Sequence, residues 1–275
     1  MLLIAAQVIL LGTGTPNAEP DRAGPSVAIV ANGIPYIVDF GPGVVRRAVA
    51  AHIKPSDLKI AFATHLHSDH TVGLADLILT PWTLERAAPL ELYGPPGIRA
   101  MANHIAAAYR EDISVRSHGS EPSNKTGYKV NVHEIKPGVV YRDDNVIVTA
   151  FRVPHGEWRE AFGYRFDIVG GRSIVISGDT GPTDAVIKAC NGCDVLIHEV
   201  YTTAGFVRRP VEWQRYHARY HTSCEELAAI ATQARPGLLV LTHQLLWGTS
   251  EEDLLGEVTR KYAGRVVNGH DLDVY

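Results

Sequence analysis

The stretch Thr64-His65-Leu66-His67-Ser68-Asp69-His70 indicates both the fold and the chemistry of this chain. It follows an apolar run that is typical of a buried strand and precedes a helical pattern, so it forms a loop at the carboxyl end of a strand. His65 and His67 alternate and can point the same way, whereas Asp69 and His70 turn into the helix. Four metal-binding side chains within six positions are too many for one tetrahedral site that keeps an open position. The motif therefore predicts two adjacent metal ions.

Short apolar runs with turn signals extend from this motif to both ends of the chain. They predict strands over 7–11, 26–31, 36–39, 59–64, 91–93, 129–135, 146–153, 162–168, 173–177, 195–199 and 238–242. They predict helices over 44–51, 72–79, 98–109, 183–190, 224–234 and 251–262. The polar stretch 114–128 predicts a surface loop. Strands in meanders with helices between them predict an α/β fold of mixed sheets with outer helices, in a single domain over 1–275.

Charge and composition restrict the partners. The formal net charge of −4 gives no basic excess, and a basic excess is typical of proteins that bind nucleic acid. No apolar run reaches the roughly 20 residues of a membrane span, so we expect no membrane partner. We expect a cytoplasmic protein as the sequence stands, or a periplasmic or secreted one if residues 1–11 are the remainder of a trimmed leader. Cys190 and Cys193 are interpreted as two small residues at a helix end.

The central motif resembles the signature of the metallo-β-lactamase superfamily. Leu11-Gly12-Thr13-Gly14-Thr15-Pro16, followed by Arg22-Ala23-Gly24-Pro25-Ser26, resembles the opening of its ribonuclease Z and arylsulfatase branch. The resemblance covers nearly the whole chain. It implies an αββα sandwich, in which two mixed sheets face each other with helices outside and the metals at one edge.

The resemblance also implies the remaining metal ligands. His155 precedes the Gly163-Tyr164-Arg165 stretch, Asp179 lies in Ser177-Gly178-Asp179-Thr180, and His243 ends Leu241-Thr242-His243. One metal would take His65, His67, His155 and Asp179, and the other would take Asp69, His70, Asp179 and His243. We expect zinc, with manganese or iron as the alternatives.

Two further motifs are similar to those of the ribonuclease Z branch, and they imply catalytic roles. His198-Glu199-Val200 and His221-Thr222-Ser223 match its His-Glu and His-Ser motifs. Glu199 would orient His221, which would donate a proton to the leaving group. Asp69 would bind a metal and also steer the hydroxide that the two metals activate. The chain is thus expected to be a metal-dependent hydrolase of ester bonds.

The chain departs from ribonuclease Z at one place. Only residues 166–176 lie between Arg165 and Ser177, where ribonuclease Z carries a long arm that binds tRNA. Together with the negative charge, this departure disfavours a nucleic-acid substrate. The sequence analysis therefore predicts a small phosphodiester, sulfate ester or lactone as substrate, with a ribonuclease Z-type tRNA endonuclease as the alternative.

Other classes of function stay open. They are a non-catalytic metal-binding or sensor protein and a di-iron redox enzyme, and within the hydrolase class a β-lactamase or thioesterase is the alternative. The stretch 201–220, which lies between Glu199 and His221, is unusual because it combines several aromatic residues with four arginines. The aromatic residues singled out are Phe206, Trp213, Tyr216 and Tyr220. The stretch is expected either to bind an aromatic anion or to form a homodimer contact.

Overall fold

The computed structural model describes residues 6–275, which form two compact units. The first unit consists of Gln7–Ile135 together with Asp271–Tyr275, and the second unit holds Lys136–His270. The strands form one six-stranded sheet and one seven-stranded sheet, and both sheets are mixed. The predicted α/β class with two mixed sheets is confirmed. The single domain over 1–275 stays a prediction.

The six-stranded sheet of the first unit runs in chain order, from β1 to β6. Its strands are β1 (Ala6–Gly12), β2 (Ser26–Ala31), β3 (Ile34–Val38), β4 (Ile60–Phe62), β5 (Leu90–Gly94) and β6 (Val130–Glu134). The helices between them are α1 (Val44–Ala50), a 3₁₀ turn (Pro55–Asp57), α2 (Ser68–Thr71), α3 (Leu74–Thr83), α4 (Ile98–Ala108) and α5 (Arg110–His118). Strands β3 to β6 are parallel neighbours, so their carboxyl ends lie at one edge of the sheet.

The core of the first unit forms where helices pack against this sheet. Val44 and Ala48 of α1 share a buried cluster with Leu77 of α3 and with Ile37 and Leu92 of the sheet. Burying a Val, Leu or Ile side chain contributes roughly 1.5–3 kcal/mol. The motif loop, which follows β4, thus lies at the edge of a sheet that is covered by packed helices.

The end of the chain belongs to the first unit. Val8 and Tyr275 exchange two backbone hydrogen bonds of 2.9 and 2.8 Å, so the last residues lie antiparallel to β1. The Asp271 carboxylate accepts bonds from the Thr13 amide and hydroxyl, both at 2.8 Å, and from the Ala23 amide at 2.7 Å. Arg47 lies 3.3 Å from the same carboxylate. Asp271 therefore holds the loop that follows β1 in place.

The seven-stranded sheet of the second unit runs in the order β13-β12-β11-β10-β9-β8-β7. Its strands are β7 (Gly138–Arg142), β8 (Val146–Arg152), β9 (Phe162–Ile168), β10 (Ser173–Ile176), β11 (Val195–Tyr201), β12 (Leu238–Leu245) and β13 (Val266–Asn268). Its helices are α6 (Asp184–Cys190), α7 (Thr203–Phe206), α8 (Val211–Tyr220), α9 (Cys224–Ala234) and α10 (Glu251–Thr259). Strands β10, β11 and β12 are parallel, so their carboxyl ends share one edge.

Three local expectations need correction. Residues 114–118, expected in a loop, form the end of α5, where an i,i+4 ion pair joins Asp112 and Arg116 at 3.0 Å. The helix expected over 72–79 is α3, and a separate short helix, α2, precedes it and holds Asp69 and His70. Cys190 ends α6 as expected, and it is also joined to Cys193 in a disulfide.

Two expectations concern membranes and targeting. Among the helices of residues 6–275, none combines the length and apolar character that a membrane crossing requires. The trimmed-leader interpretation concerns residues 1–11, of which residues 1–5 lie outside the described residues.

Candidate functional site

The motif loop of the first unit is held by a buried carboxylate. The Asp39 carboxylate accepts hydrogen bonds from the Thr64 amide, the Thr64 hydroxyl and Nδ1 of His70, each at 2.8 Å. Asp39 follows β3, and the motif follows the neighbouring parallel strand β4. His65 and His70 are almost fully buried, at 0% and 2% exposure. These contacts hold the rings of His65 and His70 in fixed orientations.

The hydrogen bonds also fix which ring nitrogens can bind a metal. Because the Thr64 hydroxyl gives its proton to Asp39, it accepts from Nδ1 of His65, which leaves the lone pair on Nε2. This Nε2 lies 2.9 Å from Nδ1 of His67. Two imidazole nitrogens on one tetrahedral zinc ion would lie about 3.3 Å apart. The two nitrogens therefore converge as the ligands of one ion would.

The second pair of the motif offers its atoms at a neighbouring point. His70 donates Nδ1–H to Asp39, so its metal-binding atom is Nε2. This nitrogen lies 3.5 Å from Oδ2 of Asp69. The first unit thus presents two adjacent pairs of ligand atoms, as the sequence motif predicts.

The second unit brings together the other predicted ligands and catalytic residues that lie on its sheet. Asp179 follows β10 after a left-handed Gly178 with φ of 61°, and it is 3% exposed. Nε2 of His243 lies 3.4 Å from Oδ2 of Asp179. His155 donates Nδ1–H to the carbonyl oxygen of Tyr220 at 2.9 Å, which leaves its Nε2 for a metal. The three side chains have the donor chemistry that a divalent metal requires.

His243 owes its position to a bulge in β12. Glu199 pairs with Thr242 and Val200 pairs with Gln244, so His243 is the extra residue between two ladder pairs. Its φ of 44° is in the left-handed region. A bulge bends the strand and redirects a side chain. In a strand without the bulge, side chains would alternate strictly. Either His243 or its neighbours would then point to the opposite face of the sheet.

Glu199 and His221 form a buried pair beside these ligands. Oε1 of Glu199 accepts the Thr222 amide at 2.7 Å, and its Oε2 lies 3.2 Å from Nδ1 of His221. Burial raises the pKa of Glu199, and the charge of Asp179 raises it further. The carboxylate holds the imidazole with Nδ1–H toward itself, so Nε2 is the atom that can exchange a proton.

His221 also has a second possible role. Asp179, His221 and His243 form a group whose ligand atoms all lie within 4.8 Å of one another. The rings of His221 and His243 are nearly parallel, with centroids 5.6 Å apart. His221 could therefore donate a proton or bind a metal, and an experiment must separate the two roles.

Asp39, the residue that positions the motif, is not among the site residues predicted from the sequence. One signal could have indicated it, because Asp39 ends the strand next to the motif-bearing strand, and the carboxyl ends of parallel strands meet at one edge. His198, which the sequence analysis noted only as part of a motif, is buried with its Nδ1 bonded to the Glu199 carbonyl oxygen. Burial lowers the pKa of His198 to about 4.

Comparisons with known proteins identify the family of this chain. Residues 36–244 match a family model described as Beta-lactamase superfamily domain. Ribonuclease Z of Mycobacterium bovis is 34% identical over 272 residues, which cover 97% of this chain and 96% of that protein. Ribonuclease Z of Mycobacterium avium is 35% identical over the same shares of both chains.

Solved structures also cover the chain. The short form of human tRNase Z has a TM-score of 0.70 and 25% identity, and the match covers 98% of each chain. A metallo-beta-lactamase fold protein of Bacillus subtilis, YhfI, has a TM-score of 0.77 and 16% identity, also over 98% of each chain. The fold class expected from the resemblance is confirmed.

The expectation that disfavours nucleic acid as a partner is wrong. The relatives named ribonuclease Z match this chain over 96% of their own length, so they have little room for a long additional arm. The short turn between β9 and β10 therefore does not separate this chain from them. Net charge is a property of the whole chain, and it conceals local groups of arginines such as the one in 208–219.

Proposed function

This chain belongs to the β-lactamase superfamily and is a metal-dependent hydrolase of ester bonds, and on this premise we propose that it cleaves RNA phosphodiesters in the manner of ribonuclease Z. One observation carries the proposal of substrate. Relatives with that name align over almost the full length of both chains at 34–35% identity. The buried Glu199–His221 pair supports the proposed chemistry, because an RNA leaving oxygen needs a proton.

We propose two metal ions, with zinc as the first expectation. One would take His65, His67, His155 and Asp179, and the other would take Asp69, His70, Asp179 and His243. In the second unit the ligand atoms of Asp179, His221 and His243 all lie within 4.8 Å of one another, and in the first unit the motif presents two adjacent pairs of ligand atoms. When bound, the ions would supply a water of lowered pKa and positive charge against the phosphate oxygens.

The chain's own residues would do the rest of the chemistry. Asp39 and the Tyr220 carbonyl oxygen keep the rings of His70 and His155 in the tautomer that leaves Nε2 available. Glu199 accepts Nδ1–H of His221, so a second proton on this ring sits at Nε2. We propose that His221 gives this proton to the leaving oxygen.

A direct assay tests the substrate. Zinc-loaded protein should cut precursor tRNA, and a chelator should abolish the cleavage. His118→Ala, which changes an exposed histidine at the end of α5, should leave cleavage unchanged. Because RNA contacts are made largely to phosphates, cleavage should also weaken steeply with salt.

The buried Glu199–His221 pair would serve a smaller ester in the same way, because any poor leaving oxygen needs a proton. A small phosphodiester, sulfate ester or lactone is therefore the alternative substrate. Rapid turnover of bis-nitrophenyl phosphate or an aryl sulfate, with no cleavage of precursor tRNA, would reject the RNA proposal in favour of this alternative.

A further inference from the structure

Helix α8 and the residue after it carry a line of rings that runs from the surface to the candidate site. Trp213, His217 and His221 follow one another at helical spacing, with ring centroids 5.6 and 5.7 Å apart. Trp213 is 48% exposed, whereas His217 and His221 are only 7% and 6% exposed. The line therefore begins at the surface and ends at the residue that we propose as the proton donor.

The exposed indole of Trp213 is held in place from within the unit. The Arg209 guanidinium lies 5.4 Å from the centre of the Trp213 ring and 5.7 Å from that of Trp247. The His217 ring is inclined by only 24° to the indole and lies 4.4 Å from the ring of Trp247. Cation–π and stacking contacts of this kind restrict the ring. Fixing a large aromatic ring beforehand lowers the entropy cost of stacking another ring on it.

The charge around Trp213 restricts what could cover it. The segment 208–219 holds four arginines and one acid, Glu212, and one of the arginines, Arg219, is paired with Glu157 at 2.7 Å. Arg208 and Arg215 are exposed. In a two-fold dimer that used this surface, arginines of one copy would face arginines of the other, which is unfavourable. A polyanion with aromatic groups fits both the charge and the rings.

We propose that the exposed ring of Trp213 is a stacking platform for an unpaired nucleobase of the RNA substrate. The platform rests on the proposed function and specifies it further, because only the His217 ring lies between Trp213 and the proposed proton donor His221. Single-stranded nucleic acid is commonly bound by stacked bases and by cations along the backbone. The exposed Arg208 and Arg215 would serve as the cations, and Trp213 would bind only where the RNA offers an unpaired base.

Binding of a short single-stranded oligoribonucleotide tests the platform without any cleavage. The probe is 2′-O-methylated so that it cannot be cut, and its affinity is measured by fluorescence anisotropy with the zinc-loaded protein. Trp213→Ala should weaken binding about 5- to 150-fold, the range of one lost base stack. Trp213→Phe should restore most of the affinity. Val211→Ala, an exposed change at the start of the same helix, should bind as the unmodified protein does.

An abasic oligomer separates stacking from charge. The unmodified protein should bind it more weakly than the complete oligomer, and Trp213→Ala should cause no further loss. An equal loss on both oligomers, or no loss on either, would overturn the platform. So would sedimentation that shows a dimer for the unmodified protein and a monomer for Trp213→Ala, because Trp213 would then be a subunit contact.

The two proposals fail differently. Trp213-dependent binding without cleavage of precursor tRNA would contradict only the proposed function. Cleavage of precursor tRNA that is unaffected by Trp213→Ala, with unchanged oligomer binding, would contradict only the platform.

Discussion

At the scale of single residues, the pair of Glu199 and His221 makes the sharpest prediction. His221→Ala should slow phosphodiesters with alkyl leaving groups by about 10²–10⁴-fold and nitrophenyl esters much less, because only the poor leaving group needs a proton. Glu199→Gln should show the same pattern more weakly. The measurement is kcat/KM on matched alkyl and nitrophenyl substrates, and an equal loss on both would remove His221 from the role of proton donor.

Metal analysis of the same samples provides the control. His221 lies in one candidate ligand group with Asp179 and His243, so a loss of activity could also come from a loss of metal. We expect His221→Ala to retain its metal content. Metal lost in proportion to activity would identify His221 as a ligand.

Asp179 makes a second prediction at this scale. In the proposed ligand sets it contacts both ions, whereas His243 contacts one. Elemental analysis should therefore find less metal in Asp179→Ala than in His243→Ala, and His118→Ala should match the unmodified protein. If Asp179→Ala and His243→Ala each lost the same single ion, Asp179 would be a ligand of one ion only.

The residue types and their spacing predict many of the metal ligands. They do not predict the contacts and strand irregularities that position these ligands. Histidines and carboxylates at fixed offsets indicate metal ligands because few other patterns place so many donors together. Asp39 lies 31 positions from His70 in the sequence, and only the pairing of β3 with β4 brings them to 2.8 Å. The bulge at His243 likewise depends on register against β11, which no local pattern reveals.

At the scale of elements, helix α8 should be sensitive to acid. Burial lowers the pKa of His217 to about 4, from an ordinary value of 6.5. A base whose pKa is lowered in the folded state contributes stability above its ordinary pKa, and this stability is lost as the pH falls from there toward 4. Urea unfolding at pH 7 and at pH 5 should therefore show a smaller loss of stability in His217→Phe than in the unmodified protein.

His118→Gln provides the matched control for this comparison, because its histidine is exposed at the end of α5. It should lose as much stability between the two pH values as the unmodified protein does. If His217→Phe and the unmodified protein lost equal amounts, the acid sensitivity would belong to other groups.

Elements with strong patterns are predictable, and those fixed by a few contacts are not. The apolar runs give strands near their expected positions, because buried residues alternate along β8 and every residue of β11 is buried. Helix α5 has no buried residue, so its sequence lacks the apolar stripe by which a helix is recognised. Its acidic start and basic end were the remaining signals.

At the scale of the whole molecule, the last residues should contribute to the stability of the first unit. Asp271→Ala would leave the Thr13 and Ala23 amides without their acceptor, at a cost of about 3 kcal/mol. Val274→Ala, at a side chain that is 55% exposed, should cost far less. Urea denaturation of both variants checks this, and equal stabilities would show that Asp271 is dispensable.

Whole-chain properties were the weakest guide to the substrate. The net charge averages the arginines of 208–219 with acids elsewhere, so it cannot report on one surface. Segment length was also misleading, because the short turn between β9 and β10 is compatible with relatives named ribonuclease Z that match almost end to end.

The pairing of β1 with residues 271–275 also governs the order of events during synthesis. The ribosome releases β1 early, but the segment that bonds to Val8 and Leu10 emerges only after the whole second unit has been made. Until then one edge of β1 presents unpaired backbone groups, which can recruit strands of other chains. Nascent chains stalled before residue 271 should therefore depend on chaperones that shield this edge, and chains that include residues 271–275 should be released from them once this segment has paired with β1.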